Sequence, residues 1–192
     1  HDPVIVGLYL NEPPTVDAGG PYNVIEGTSV IVSATGADPE NQALTYEWDL
    51  DNDGTFETPG QSATFDASAL TAPASYTIKV RVTDIGGLTA VDEATVNVIY
   101  NFNGFFHPID NPPFLNVANA GRAIPVKFSL SGDQGLDIFA AGYPQVVVIA
   151  CDTSESTDVV EETVTAGTSS LAYDTFTDTY TYVWKTSKSW AN

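Results

Sequence analysis

Between Ser75 and Thr83 the side chains alternate without a break. Tyr76, Ile78, Val80 and Val82 fall on one face of an extended chain, and Thr77, Lys79, Arg81 and Thr83 on the other. A helix would scatter both sets around its circumference, so the segment is predicted to be a strand with one buried and one wetted face. A second run, Val91, Ala94, Val96 and Val98, is less regular at its start but ends the same way. Further strands are expected at 22–25, 29–34, 44–49, 63–65, 75–83 and 90–99, with Gly, Asp and Pro turns between them. After Pro112, strands are expected at 123–130, 146–150, 161–164, 170–173 and 179–185. One short helical turn is expected within 134–141, where flanking glycines exclude a long helix. This pattern predicts an all-β chain of two tandem β-sandwich domains rather than strands alternating with crossover helices.

The punctuation sets the boundaries. Residues 1–11 hold a short apolar segment, 4–10, that ends where Pro13-Pro14 interrupts any strand. It reads as an edge strand, the last strand of a preceding domain, or an extension that inserts into a neighbouring subunit. Residues 12–100 are expected to form the first sandwich domain. The aromatic stretch 101–111 is a linker whose Phe102, Phe105 and Phe106 need cover, expected in a domain junction. Residues 112–192 form the second sandwich.

Composition narrows the partners. Twenty-five acidic against six basic residues give a formal charge of -19. A polyanion would need a basic patch that six scattered Lys and Arg do not supply, so nucleic acid is excluded as a partner, and divalent cations are favoured. No run of roughly 20 apolar residues reads as a membrane span, so membrane insertion is not expected. The start at His1 in place of Met is expected to mark a processed or excised segment. Cys151, the one cysteine, is either a small buried hydrophobe or half of a disulfide to residues outside this chain.

The run Tyr46-Glu47-Trp48-Asp49-Leu50-Asp51-Asn52-Asp53-Gly54 carries a core strand into an acidic turn. Tyr46 and Trp48 share a face, while Asp49, Asp51 and Asp53 alternate into a turn closed by Gly54. With Glu57 they resemble an oxygen-donor loop for Ca2+, although the twelve-residue EF-hand loop is absent. The competing reading is an Asx-rich turn whose carboxylates cap backbone N–H groups. The turn at Gly132-Asp133-Gln134-Gly135-Leu136-Asp137 has the same two readings, with the capped turn better supported.

Several motifs give residues 11–100 a resemblance to the PKD domain family, an immunoglobulin-like β-sandwich of surface proteins and secreted enzymes. They are Pro14, Asp17-Ala18-Gly19, Glu26-Gly27, Asp38-Pro39, Tyr46 to Asp51, Gly54 and Val82-Thr83-Asp84-Ile85-Gly86-Gly87. The resemblance implies that family topology brings Glu26, Asp38 or Asp84 towards the acidic loop to complete a calcium site. Residues 103–192 are similar to a secreted module carrying Pro125-Val126-Lys127-Phe128, Ala150-Cys151-Asp152 and Tyr182-Val183-Trp184-Lys185-Thr186. That second likeness implies a further cysteine and a last strand beyond Asn192, as partners for Cys151 and for one sheet edge.

Nothing in the sequence announces catalysis. His1 and His107 lack zinc-ligand spacing, no serine elbow occurs, and the glycine turns lack a Walker lysine or a dinucleotide fingerprint. His107 reads as a linker or interface residue. Trp48 and Tyr76 read as core rather than carbohydrate platform; Trp184 and Trp190 read as packing against a further strand, with an exposed binding patch as the alternative. Lys127 beside Phe128 reads as a charged tip over an apolar stem.

No enzyme is therefore expected. The leading expectation is a structural or interaction segment of a secreted or cell-surface bacterial protein, working through protein–protein contacts. Residues 4–10 would join copies head to tail into a homopolymer. The alternative is an accessory or spacer module of a larger secreted hydrolase, and carbohydrate contact has less support than either.

Overall fold

The computed structural model describes residues 10–146, 161–162 and 171–190; residues 4–9 of the apolar segment, Cys151 and the Trp190 side chain lie outside what is described. It divides into two units, His1–Tyr100 and Asn101–Asn192. Among the described residues the structure is all β, apart from a 3-10 turn at Lys188–Trp190, and no helix is long and apolar enough to cross a membrane.

The first unit contains β1 (Thr15–Asp17), β2 (Tyr22–Ile25), β3 (Ser29–Ser33), β4 (Thr35–Ala37), β5 (Thr45–Asp49), β6 (Thr58–Pro59), β7 (Ser62–Asp66), β8 (Ala74–Thr83) and β9 (Thr89–Ile99). The alternating strand β8 sits inside a five-stranded sheet of order β2-β9-β8-β5-β6. Its antiparallel pairing with β9 runs in register from Ala74↔Val98 to Thr83↔Thr89. At the sheet edge β2 runs parallel to β9. Strands β3 and β7 pair separately and supply Val32, Ala63 and Phe65 to the same core as Trp48, Ile78, Val80, Val96 and Val98, which makes the unit a sandwich. Trp48 is fully buried, and its indole N–H donates to the Gly60 carbonyl at 3.0 Å, so the largest core side chain leaves no orphan donor.

Two residues depart from their predicted places. Tyr76 has the parity of the core face but is 37% exposed, because its ring lies against Phe65 at the margin of the core. Val91 is 53% exposed: it stands opposite Arg81, and that register puts odd-numbered residues of β9 on the wetted face.

The second unit contains β10 (Phe105–Phe106), β11 (Ala123–Phe128), β12 (Gln145–Val146), β13 (Glu161–Glu162), β14 (Ala172–Asp174) and β15 (Thr179–Lys185). Its main sheet has the order β10-β11-β15-β14, and β12 pairs with β13. Within the stretch read as an aromatic linker, Phe105 and Phe106 thus form a strand. Phe102 and Phe105 lie edge-on to Phe128, at ring-centroid distances of 6.0 and 6.3 Å, and Phe102 stays exposed. Phe128 in turn stacks on Tyr180 at 5.5 Å, and Tyr180 meets Tyr173 at 4.6 Å. The helical turn expected within 134–141 does not form; that stretch is irregular, with Gly135 at φ +76° and its N–H capped by Asp133 at 2.9 Å. Trp184 stands opposite Ile124 and is half-buried.

Candidate functional site

Strand β5 ends at Asp49, whose carboxylate is completely buried. Burial of a charge demands compensation, and the following turn provides it. Asp49 accepts from the N–H of Asp53 at 3.1 Å and of Gly54 at 2.9 Å; Asp53 accepts from Thr55 N–H at 2.7 Å. Gly54 adopts φ +93°, a left-handed conformation that a side chain would strain. Carboxylate oxygens of Asp49, Asp51 and Asp53 lie within 4.8 Å of one another. Glu57 feels this cluster: partial desolvation, then the charges of Asp51, Asp53 and Asp49, hold its carboxyl above the usual range.

The three other predicted ligands stand elsewhere. Asp49 faces Lys79 in the β5–β8 ladder. Asp84 follows the end of β8 five residues further on, about 16 Å at the rise of an extended strand. Glu26 lies in the opposite direction, following Ile25 of β2 and accepting from Ala72 N–H at 3.0 Å, close to the start of β8. Asp38 caps its own turn, accepting from Glu40 and Gln42 N–H at 2.9 Å each. The strand spacing therefore prevents convergence of all seven acids, and the expectation that Glu26, Asp38 or Asp84 completes the Asp49 loop is corrected.

Asp38 and Asp84 instead belong to a second constellation, joined by two residues that the sequence reasoning missed. Asn11 donates to Asp84 at 2.8 Å and accepts from the Gln42 side chain, and Gln42 is itself tied to Asp38 through its backbone. Asp84 also accepts from Leu88 N–H at 2.8 Å, closing the β8–β9 turn. Burial opposes its ionisation, but the Asn11 amide and the N–H groups of Leu88, Gly86 and Gly87 outweigh that and hold its carboxyl below the usual range. At Gly86 a Cβ would run into the Asn11 amide, so a larger residue there would push that side chain aside. One Asp38 oxygen, Oδ2, and the Gln42 Oε1 are buried with no hydrogen-bond partner among the described residues. They border a recess of about 380 Å³ next to Gly36, Leu44 and Tyr46. A carboxylate oxygen and an amide oxygen without donors are the kind of hard acceptors that a cation could satisfy.

The first unit is thus an immunoglobulin-like sandwich with polar clusters at its strand ends. Residues 11–98 match the family described as the PKD domain. The chain is 31% identical over 144 residues to "Chitinase A" of Pseudoalteromonas piscicida. That match covers 70% of this chain, more than the first unit can supply, but this chain spans only 16% of the chitinase. Among solved structures, the PKD1 domain of Vibrio anguillarum Epp is 25% identical, covering 47% of this chain and 98% of that one, with a TM-score of 0.36. The PKD1 domain from the Vibrio cholerae metalloprotease PrtV is 23% identical, covering 47% and 99%, with a TM-score of 0.33.

Proposed function

We propose that this chain is a non-catalytic accessory segment of a larger secreted polysaccharide-degrading protein, spacing a catalytic domain or holding it at insoluble substrate. The carrying observation is the 31% identity to a chitinase across more residues than the PKD-like unit contains. Rigid sandwich cores suit spacing, and the acidic surface keeps an exported protein soluble. The test compares the parent protein with and without residues 11–192 on insoluble chitin and on a soluble chito-oligosaccharide. Deletion is expected to slow turnover of the solid and leave the soluble substrate unaffected; equal rates on the solid would reject the reading. Head-to-tail polymerisation depends on residues 4–10, which fall almost wholly outside the described residues, and none of the similar proteins favours it.

Calcium belongs to the same reading, as a stiffener of the first unit. The Asn11–Asp38–Gln42–Asp84 corner is the better seat, because Asp38 Oδ2 and Gln42 Oε1 accept from no donor among the described residues, whereas both Asp49 oxygens already accept from backbone N–H groups. An ion bound only by the folded form would stabilise it by about 2.7 kcal/mol at a concentration of one hundred times Kd. Thermal unfolding of metal-free protein, titrated with Ca2+, measures this. Asp38→Asn should abolish the gain, while a loss confined to Asp51→Asn or Asp53→Asn would move the ion to the acidic loop.

A further inference from the structure

We propose that the outer face of the second unit's main sheet carries a binding groove for a neutral, N-acetylated polysaccharide chain. The proposal rests on the accessory-module reading and gives that module a contact of its own.

Register defines the face. Phe106 stands opposite Lys127, Lys127 opposite Thr181, and Asp174 opposite Thr179. Residues paired across a ladder share a face, and Thr179 and Thr181 are two apart on one strand. All five therefore project away from the side that holds Phe128, Tyr180 and Tyr173. Together with His107 they line a shallow groove of about 430 Å³.

The groove's chemistry is mixed in a particular way. Phe106 offers a flat apolar surface, 39% exposed, of the kind that packs on the axial C–H face of a pyranose. Beside it lies Lys127, half-buried; in a chain with 25 acidic residues its ammonium has no carboxylate partner among the described residues. Asp174 is held in place by hydrogen bonds from Phe176 N–H at 2.9 Å and the Thr177 hydroxyl at 2.8 Å. Those bonds keep its carboxyl below the usual range, so it is an acceptor at neutral pH. An aromatic platform flanked by a cationic donor and an anionic acceptor suits a ligand with both polarities in a fixed plane. The acetamide of an N-acetylated sugar has both: its carbonyl would accept from Lys127 and its N–H would face Asp174. Polyanionic glycans are disfavoured by Asp174 and by the chain's net charge of -19. Strand addition by a peptide is disfavoured too, because Lys127 is already paired with Phe106 on one side and with Thr181 on the other.

The test uses the 192-residue chain, co-sedimented with chitin powder and titrated with a chitin hexasaccharide. The chain should bind both probes. Phe106→Ala and Lys127→Met should each weaken hexasaccharide binding about tenfold, the loss expected for one charge-assisted or stacking contact. Val91→Thr, an exposed change in the first unit, should have no effect. If Phe106→Ala disturbs the near-ultraviolet circular dichroism, Lys127→Met decides, since it keeps the packed stem and removes only the donor. Failure of the unaltered chain to bind either probe, or wild-type affinity in Lys127→Met, overturns the groove. Introducing Lys127→Met into the parent protein separates the two proposals. If deleting residues 11–192 slows turnover of solid chitin but this substitution does not, the segment is a spacer and the groove is wrong. If the chain binds through Lys127 but its deletion leaves turnover unchanged, the groove stands and the accessory reading falls.

Discussion

The two units solve the burial of polar groups in opposite ways. In the first, the core around Trp48 is almost entirely aliphatic and small, and Asp38, Asp49 and Asp84 sit at strand ends, where they cap turns. In the second, a carboxylate from the β14–β15 turn and several hydroxyls bond to one another beside the aromatics. Tyr180 is fully buried and its oxygen accepts from Gln134 N–H, while Asp178 accepts from Ser129 at 2.6 Å, Tyr173 at 2.8 Å and Gly132 N–H at 3.0 Å. A core sealed by apolar contact answers mainly to lost volume; a core threaded by polar groups answers also to lost partners and to pH.

The sharpest way to break this contrast is to remove volume. Trp48→Ala should cost the first unit about 3–5 kcal/mol, because the indole is completely enclosed and its N–H bond to Gly60 is lost with it. Hydrogen exchange read residue by residue should show β5, β8 and β9 losing protection while β11 and β15 keep theirs. Equal loss in both sets would mean that the units do not unfold separately. A smaller effect is expected from Tyr180→Phe, which preserves the ring stacking on Phe128 but strips the acceptor from Gln134 N–H. About 1–3 kcal/mol should be lost from the second unit alone, measured as the denaturant midpoint of the β11 and β15 amides. No change there would show that water replaces the hydroxyl, and that the second core is less sealed than its burial implies.

Much of the framework was readable from alternation and turn chemistry. The strands at Tyr22–Ile25 and Thr179–Lys185 coincide with the predicted bounds, because each shows alternation or apolar content between clear breakers. The strands at Thr15–Asp17, Thr35–Ala37 and Thr58–Pro59 were not legible: all are two or three residues long, too short to show alternation, and the last two contain Gly or Pro. Val91 misled because an apolar residue of the wrong parity sits at the start of β9. At the candidate site, the local trio Asp49, Asp51 and Asp53 was visible as a spacing before Gly54. The partnership of Asn11, Gln42, Asp38 and Asp84 was not, since it arises only when the β5–β8 ladder brings Thr45 opposite Thr83. The signal was there in part: amides near two turn aspartates. Nothing in the sequence said that they meet. Phe106 and Lys127 were likewise assigned to a linker and to a packed stem, because a sheet face shared across strands has no linear signature.

The gentlest probe of the contrast is pH. The Tyr173 hydroxyl donates to Asp178 at 2.8 Å, and that bond, reinforced by burial and by the charges of Asp178 and Asp133, pushes its pKa up to about 12. In the unfolded chain a tyrosine ionises near 10. The folded form therefore binds this proton more tightly, and the stabilisation is complete below about pH 10 and disappears as pH rises through the folded value of about 12. Asp178 works in the opposite sense. Hydrogen bonds from Ser129 and Tyr173, and then from Gly132 N–H, hold its carboxyl below the usual range. Its contribution is thus present above the unfolded value of about 3.9 and is lost as pH falls through the depressed folded value. Tyr173→Phe should flatten the alkaline limb of the second unit's stability curve, and it should weaken the acid limb, because Asp178 loses one of its donors. Spectrophotometric titration of the phenolate alongside exchange of the β14 and β15 amides would measure both limbs. An alkaline limb unchanged by Tyr173→Phe would assign that pH sensitivity to another group and leave the two cores chemically more alike than their hydrogen bonds indicate.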